Sequence, residues 1–133
     1  MSKNHRKIGD KGEDLAAEYL ESKGWLIIDR NYFFEKAEVD IVATDGHFIV
    51  FIEVKFRSGT YFGRPEDHVT PEKEQNIKKA ADAWVYERKM ETALVRFDVI
   101  AIVQKRGRTL KYHTSKTLSG KESLFSFPSI VLY

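Results

Sequence analysis

The chain has no cysteine, which excludes a disulfide scaffold, thiol chemistry and a thiolate zinc site. No apolar run approaches the roughly 18 residues of a membrane-spanning helix, and no signal-peptide core follows Met1. The expectation is a cytoplasmic protein with no membrane partner. There is no internal repeat, low-complexity tract or linker. His5, His47, His68 and His113 show no ligand spacing, so a zinc centre is not indicated. No Gly-rich cradle precedes a Lys-Ser or Lys-Thr pair, so neither is a nucleotide triphosphatase. Charge of neither sign dominates: 22 basic against 20 acidic residues, net +2, permits a nucleic-acid partner without demanding one.

What is present is apolar material, 42% hydrophobic and 13% aromatic over 133 residues. That is too much for a disordered chain and enough for one core, and the length suits a single domain. The basic segment Ser2 to Lys11 opens a helical pattern in which Ile8, Leu15, Ala16, Tyr19 and Leu20 share a stripe, with Gly24 as its stop. Trp25 to Phe34, Ala37 to Thr44 and Phe48 to Phe56 read as strands, the last two joined through Asp45-Gly46, a strong hairpin signal. A loop from Arg57 to Val69 follows. Thr70-Pro71-Glu72-Lys73 then opens a second helix, with threonine as N-cap and proline at N1. Leu94 to Gln104 is a strand, and Thr109 to Thr114 suggests another. The tail past Lys116 is hard to read, although Phe125, Phe127 and Ile130 point to packing. The order predicts an α/β fold, a mixed sheet with helices on both faces.

The hairpin carries the chemistry. With Asp45 and Gly46 as its two loop residues, facing positions sum to 91, placing Glu38 opposite Glu53 and Asp40 opposite Phe51, diagonal to Glu53. One face, from Val39, Ile41 and Ala43 to Val54 and Phe56, is wholly apolar and must be core. The other brings Glu38, Asp40, Glu53 and Lys55 together at its far end. Like charges opposed on a sheet ask for a cation. Lys55 supplies one; a divalent metal held by oxygen ligands would do so better. Such a metal polarises a phosphoryl oxygen and acidifies a bound water, and a lysine beside it can orient that water or stabilise developing charge. The plain alternative is a solvated sheet end with an ordinary Glu–Lys pair.

Asp40 followed by Glu53-Val54-Lys55 in a hydrophobic strand resembles the PD-(D/E)XK motif of restriction-endonuclease-like nucleases. More specifically, Lys11-Gly12-Glu13-Asp14-Leu15-Ala16-Ala17, Gly24 to Asn31, Ala37-Glu38-Val39-Asp40-Ile41-Val42, Phe51 to Arg57, Lys73 and Arg96 to Ile100 resemble the bacterial YraN-like family, whose function is uncharacterised. The resemblance covers roughly residues 7 to 113, leaving 114–133 as a C-terminal extension of one domain. It is also similar in arrangement to archaeal Holliday-junction resolvases, which work as dimers. It implies a restriction-endonuclease-like sheet and Mg²⁺-dependent (or Mn²⁺-dependent) hydrolysis of DNA phosphodiesters, at branched or structured DNA, with a homodimer as the expected assembly. Asp40 and Glu53 would ligate the metal, with Glu13 through water and the Val54 carbonyl, and Lys55 would position the attacking water. Glu38 is a spare acid. The alternative is a non-catalytic nucleic-acid-binding module on the same fold, and a protein-interaction domain is a third.

The helical wheel supports Glu13 independently. It lies roughly 100° from the centre of the apolar stripe while Asp14 points about 160° away, so Glu13 can reach the sheet edge. Lys73 shares a stripe with Ile77, Ala80 and Trp84; it can contact a phosphate, though snorkelling is the favoured reading. Arg57, Tyr61, Phe62 and Arg64 in the long loop suit phosphate contact and base stacking. With Lys11 and Lys73, Arg57 and Arg64 are the candidate nucleic-acid contacts. Asp98, between Phe97 and Val99, needs a partner, and the expectation there is structural pairing rather than catalysis.

Overall fold

The computed structural model describes residues 3–58, 70–117 and 125–132. Helix α1 (Lys3–Ser22) leads into strands β1 (Leu26–Phe34), β2 (Ala37–Thr44) and β3 (Phe48–Ser58). Helix α2 (Pro71–Glu87) follows, then β4 (Leu94–Lys105), β5 (Arg108–Thr117) and β6 (Phe125–Leu132). Among the described residues six strands form one sheet in sequence order. Only β3 and β4 run parallel, paired from Phe48–Leu94 to Ser58–Gln104, with α2 within the crossover. The chain is thus a single α/β domain with a mixed sheet, consistent with a restriction-endonuclease-like fold. The tail that resisted reading supplies β6, which pairs with β5 from Leu110–Leu132 to Lys116–Phe125. Among the described residues no helix is long and apolar enough to cross a membrane.

Local chemistry sets the helix ends. Gly24 takes φ +85, and the N–H groups of Gly24 and Trp25 satisfy the carbonyls of Glu21 and Leu20 as α1 stops. Thr70 accepts the Lys73 N–H at 3.1 Å, capping α2. The helices cover opposite faces. On one, Ala16, Tyr19 and Leu20 of α1 pack on Ile41, Val50, Ile52, Ile100 and Ile102. On the other, Ile77, Ala80 and Trp84 of α2 pack on Val42, Phe51, Phe97 and Val99. Trp84 is fully buried, with its ring edge-on to Phe51 at 5.7 Å between centroids. Each buried Val, Leu, Ile or Phe among them contributes roughly 1.5–3 kcal/mol by burial.

The hairpin departs from expectation in register. Facing positions sum to 93: Ile41–Ile52, Val42–Phe51, Ala43–Val50 and Thr44–Ile49. The reason is the turn. Asp45 Oδ1 accepts the N–H groups of His47 and Phe48 at 2.9 and 2.8 Å, and Thr44 Oγ1 accepts that of Gly46. This side-chain-braced turn spans residues 45–48 rather than a two-residue loop. A slip of two keeps each side chain on its face. However, pairing with β3 ends at Ile41–Ile52, so Glu38 does not face Glu53 and Asp40 does not face Phe51; Glu38 pairs with Phe33 of β1. Val39 and Ile41, expected on one face, lie in opposite clusters. The break falls at Asp40, and Asn31, between the pairs Arg30–Ile41 and Tyr32–Val39, takes φ +56.

Candidate active site

Where β2 leaves β3, Val54 has no ladder partner from β2. Asp40 takes that place: the Val54 N–H donates to Asp40 Oδ2 at 2.8 Å. In a strand the N–H and C=O of one residue point to the same edge, so the Val54 carbonyl also faces the opening beside Asp40. One residue back, Glu53 is buried. Its Oε1 forms an ion pair with Lys55 Nζ at 3.2 Å and accepts a hydrogen bond from Lys73 Nζ of α2. Its Oε2 is buried and has no hydrogen-bond partner among the described residues.

Lys73 is therefore not merely a snorkelling side chain. It occupies N3 of α2, where the capping pattern favours glutamate or glutamine and the helix dipole disfavours a cation. Thr70 fixes its backbone, and its ammonium reaches across to Glu53. Sequence reasoning put Lys73 on the inward stripe but missed Glu53 as its partner; a lysine at that helical position was the available signal.

Glu13 arrives from the α1 side and is buried, while Asp14 is exposed. Arg30 links the two, with Nη2 3.5 Å from Glu13 Oε2 and 2.9 Å from Asp14 Oδ1. Nothing in the sequence reading had singled out Arg30. Glycine lets α1 lie this close: a Cβ on Gly12 would stand 2.7 Å from Phe56 Cβ. The electrostatic result appears at Asp40. Burial, then the charges of Glu13, Glu38 and Glu53, outweigh the Val54 hydrogen bond and push its carboxyl up to about 7.

The other predicted contacts are more scattered. Lys11 Nζ donates to Gln104 at the end of β4, at 3.4 Å. Arg57 is exposed, its guanidinium donating to the Phe56 carbonyl. Arg64, with Tyr61 and Phe62, lies outside the described residues. Glu38 is exposed. Asp98 is structurally paired: Arg96 grips it with two bonds of 2.8 and 3.0 Å, and His113 Nε2 lies 2.6 Å away. His113 Nδ1 meets the Tyr19 hydroxyl at 3.0 Å, tying α1 to β4 and β5 on the face opposite Glu53.

Whether these residues suit a metal is decided by the donors present. Among the described residues no three His, Asp or Glu side chains form a ready cage. Mg²⁺ does not need one, since it binds through one or two carboxylates with water and substrate phosphate. A Glu53 oxygen without a partner among the described residues, an Asp40 carboxyl crowded by other acids, and the Val54 carbonyl make an oxygen-only donor set of that kind.

The model of "Uncharacterised protein family UPF0102" matches residues 12–102. A UPF0102 protein of Carboxydothermus hydrogenoformans is 43% identical over 115 residues, covering 86% of this chain and 98% of that one. One of Christiangramia forsetii is 43% identical over 109 residues, 82% of this chain and 91% of its own. One of Geobacter sulfurreducens is 52% identical over 100 residues, 74% of this chain and 78% of its own.

Proposed function

The chain belongs to the uncharacterised protein family UPF0102, and we propose that it is a Mg²⁺-dependent endonuclease that hydrolyses DNA phosphodiester bonds, at branched or structured DNA. The observation that carries this reading is Glu53, a buried carboxylate with one oxygen held by two lysines and the other, near Asp40, without a partner among the described residues. Asp40 and Glu53 would hold Mg²⁺ or Mn²⁺, with the Val54 carbonyl and, through water, Glu13. Bound there, the ion would polarise a phosphoryl oxygen and lower the pKa of a water.

The protein's own residues do the rest. Lys55 lies two residues beyond Glu53, with its ammonium on Glu53 Oε1. There it can orient the attacking water and offset the charge that grows on the phosphorane oxygens. Lys73 fixes the Glu53 carboxylate from α2, the helix on the same face, and stands ready for the phosphate. Lys11, Arg57 and Arg64 contact the backbone, and a homodimer presents two such sites to one branched substrate. A module that only bound nucleic acid would gain nothing from buried carboxylates next to phosphate.

Purified protein in Mg²⁺ should nick plasmid or branched DNA, and EDTA should stop it. Lys55→Ala should lower cutting by about 100-fold or more while leaving DNA binding largely intact. Equal cutting by wild type and Lys55→Ala would refute the reading; retained binding without cutting by either would leave the non-catalytic module.

A further inference from the structure

Between the turn joining β1 to β2 and the first turns of α2 lies a cavity of about 260 Å³. Its apolar floor is Ala37 and Ile77, both buried; its rim carries Lys36, Glu38, Glu72, Lys73 and Asn76. We propose that this cavity is a subsite for one unpaired nucleobase of the strand being cut, a placement of the strand that rests on the endonuclease reading.

The charge of the rim identifies the ligand class. Two lysines and two glutamates cancel, and Glu38 and Glu72 would repel a phosphate, which needs an excess of positive charge and donors. A neutral ring with donors and acceptors on its edge suits the same walls. Asn76, half-buried on α2, offers both from one amide, the arrangement that reads a base edge through paired hydrogen bonds. The volume lies below the roughly 300–1,000 Å³ of sites for drug-sized ligands, so it admits a single base and not a base pair. A base stacked in a duplex cannot enter; it must be unpaired or turned out.

Lys73 joins the cavity to the carboxylates. It lines the cavity, and its ammonium bonds Glu53. A base seated against Lys73 therefore sets its own backbone beside Glu53 and Lys55. The substrate class follows: DNA with an unpaired nucleotide next to the scissile phosphate, as in loops, flaps and junction points, in preference to regular duplex.

The test is equilibrium binding, with Ca²⁺ replacing Mg²⁺, of a labelled duplex carrying one unpaired nucleotide and of the same duplex fully paired. Wild type should bind the first about tenfold more tightly. Asn76→Trp, which fills the cavity, and Asn76→Ala, which removes the amide with a good helix former, should each bring that ratio close to one. Equal affinity of wild type for both DNAs, or a preference that both variants keep, would overturn the subsite. Cleavage measured alongside in Mg²⁺ separates the two ideas: preference without cleavage keeps the subsite and removes the endonuclease.

Discussion

Asp40 accepts a backbone hydrogen bond that favours its charged form, yet burial and three neighbouring acids win and raise it from 3.8 to about 7. For an acid raised on folding, the folded state holds the proton more tightly. The stability this adds is fully present below about pH 4, declines above it, and is gone once pH passes about 7. Without metal, wild type should therefore lose about 1–3 kcal/mol more than Asp40→Asn between pH 5 and 8, measured by urea unfolding in EDTA. Asparagine keeps the acceptor for Val54, so the variant should be the more stable protein at pH 8. The same slope in both proteins would mean that Asp40 is solvated and ordinary. Asp98 presents the opposite case, an acid fully buried and fully paired. Asp98→Ala should cost about 3–5 kcal/mol, because Arg96 and His113 lose their acceptor; a cost below about 1 kcal/mol would show that water replaces it. At this scale the sequence was informative where spacing decides. Glu53 and Lys55 two apart must share a face, and Asp98 between apolar neighbours must find a partner. Lys73 to Glu53 and Arg30 to Glu13 were hidden because each joins side chains from different elements.

Among the elements, α1 shows how closely packing controls the site. Gly12 costs helix propensity, and alanine there would normally gain about 1 kcal/mol. Here the new Cβ would meet Phe56 Cβ at 2.7 Å, an atom too near the β3 backbone to swing aside. Gly12→Ala should therefore destabilise the protein by about 1–3 kcal/mol in thermal or urea unfolding. It should also displace Glu13 from the sheet and lower activity. A stabilised variant would contradict the close approach. The strands and helices themselves could be read from periodicity, the Thr70-Pro71 start of α2 and the Gly24 stop of α1. The hairpin register could not. Asp45-Gly46 looks like a two-residue turn, but the Asp45 carboxylate binds the next N–H groups and lengthens the loop. Nor could alternation locate the point where β2 leaves β3, since Val39 and Ile41 are equally apolar and only the packing on each helix separates them.

For the whole molecule, net charge is only +2, so any attraction to DNA comes from where the cations lie. Lys11 reaches the C-terminal end of β4, and Arg57 stands at the matching end of β3. Lys11→Ala and Arg57→Ala should each weaken DNA binding regardless of sequence and reduce the slope of log affinity against log salt by roughly one. Binding indifferent to salt would exclude phosphate contact. A mixed sheet with a helix on each face could be anticipated from element order, whereas its sixth strand, β6, could not, because its pairing partner is set by the tertiary sheet edge. The proposed binding of a divalent metal through Asp40 can be tested with no substrate at all. Thermal unfolding of wild type and Asp40→Asn is followed while Mg²⁺ or Mn²⁺ is titrated from EDTA. A ligand of the folded state alone stabilises by mass action, about 2.7 kcal/mol at one hundred times its dissociation constant. Wild type should rise in melting temperature with metal and Asp40→Asn should lose most of that rise, narrowing or reversing their order. Identical metal-induced shifts in the two proteins would remove Asp40 from the metal site and the endonuclease reading with it.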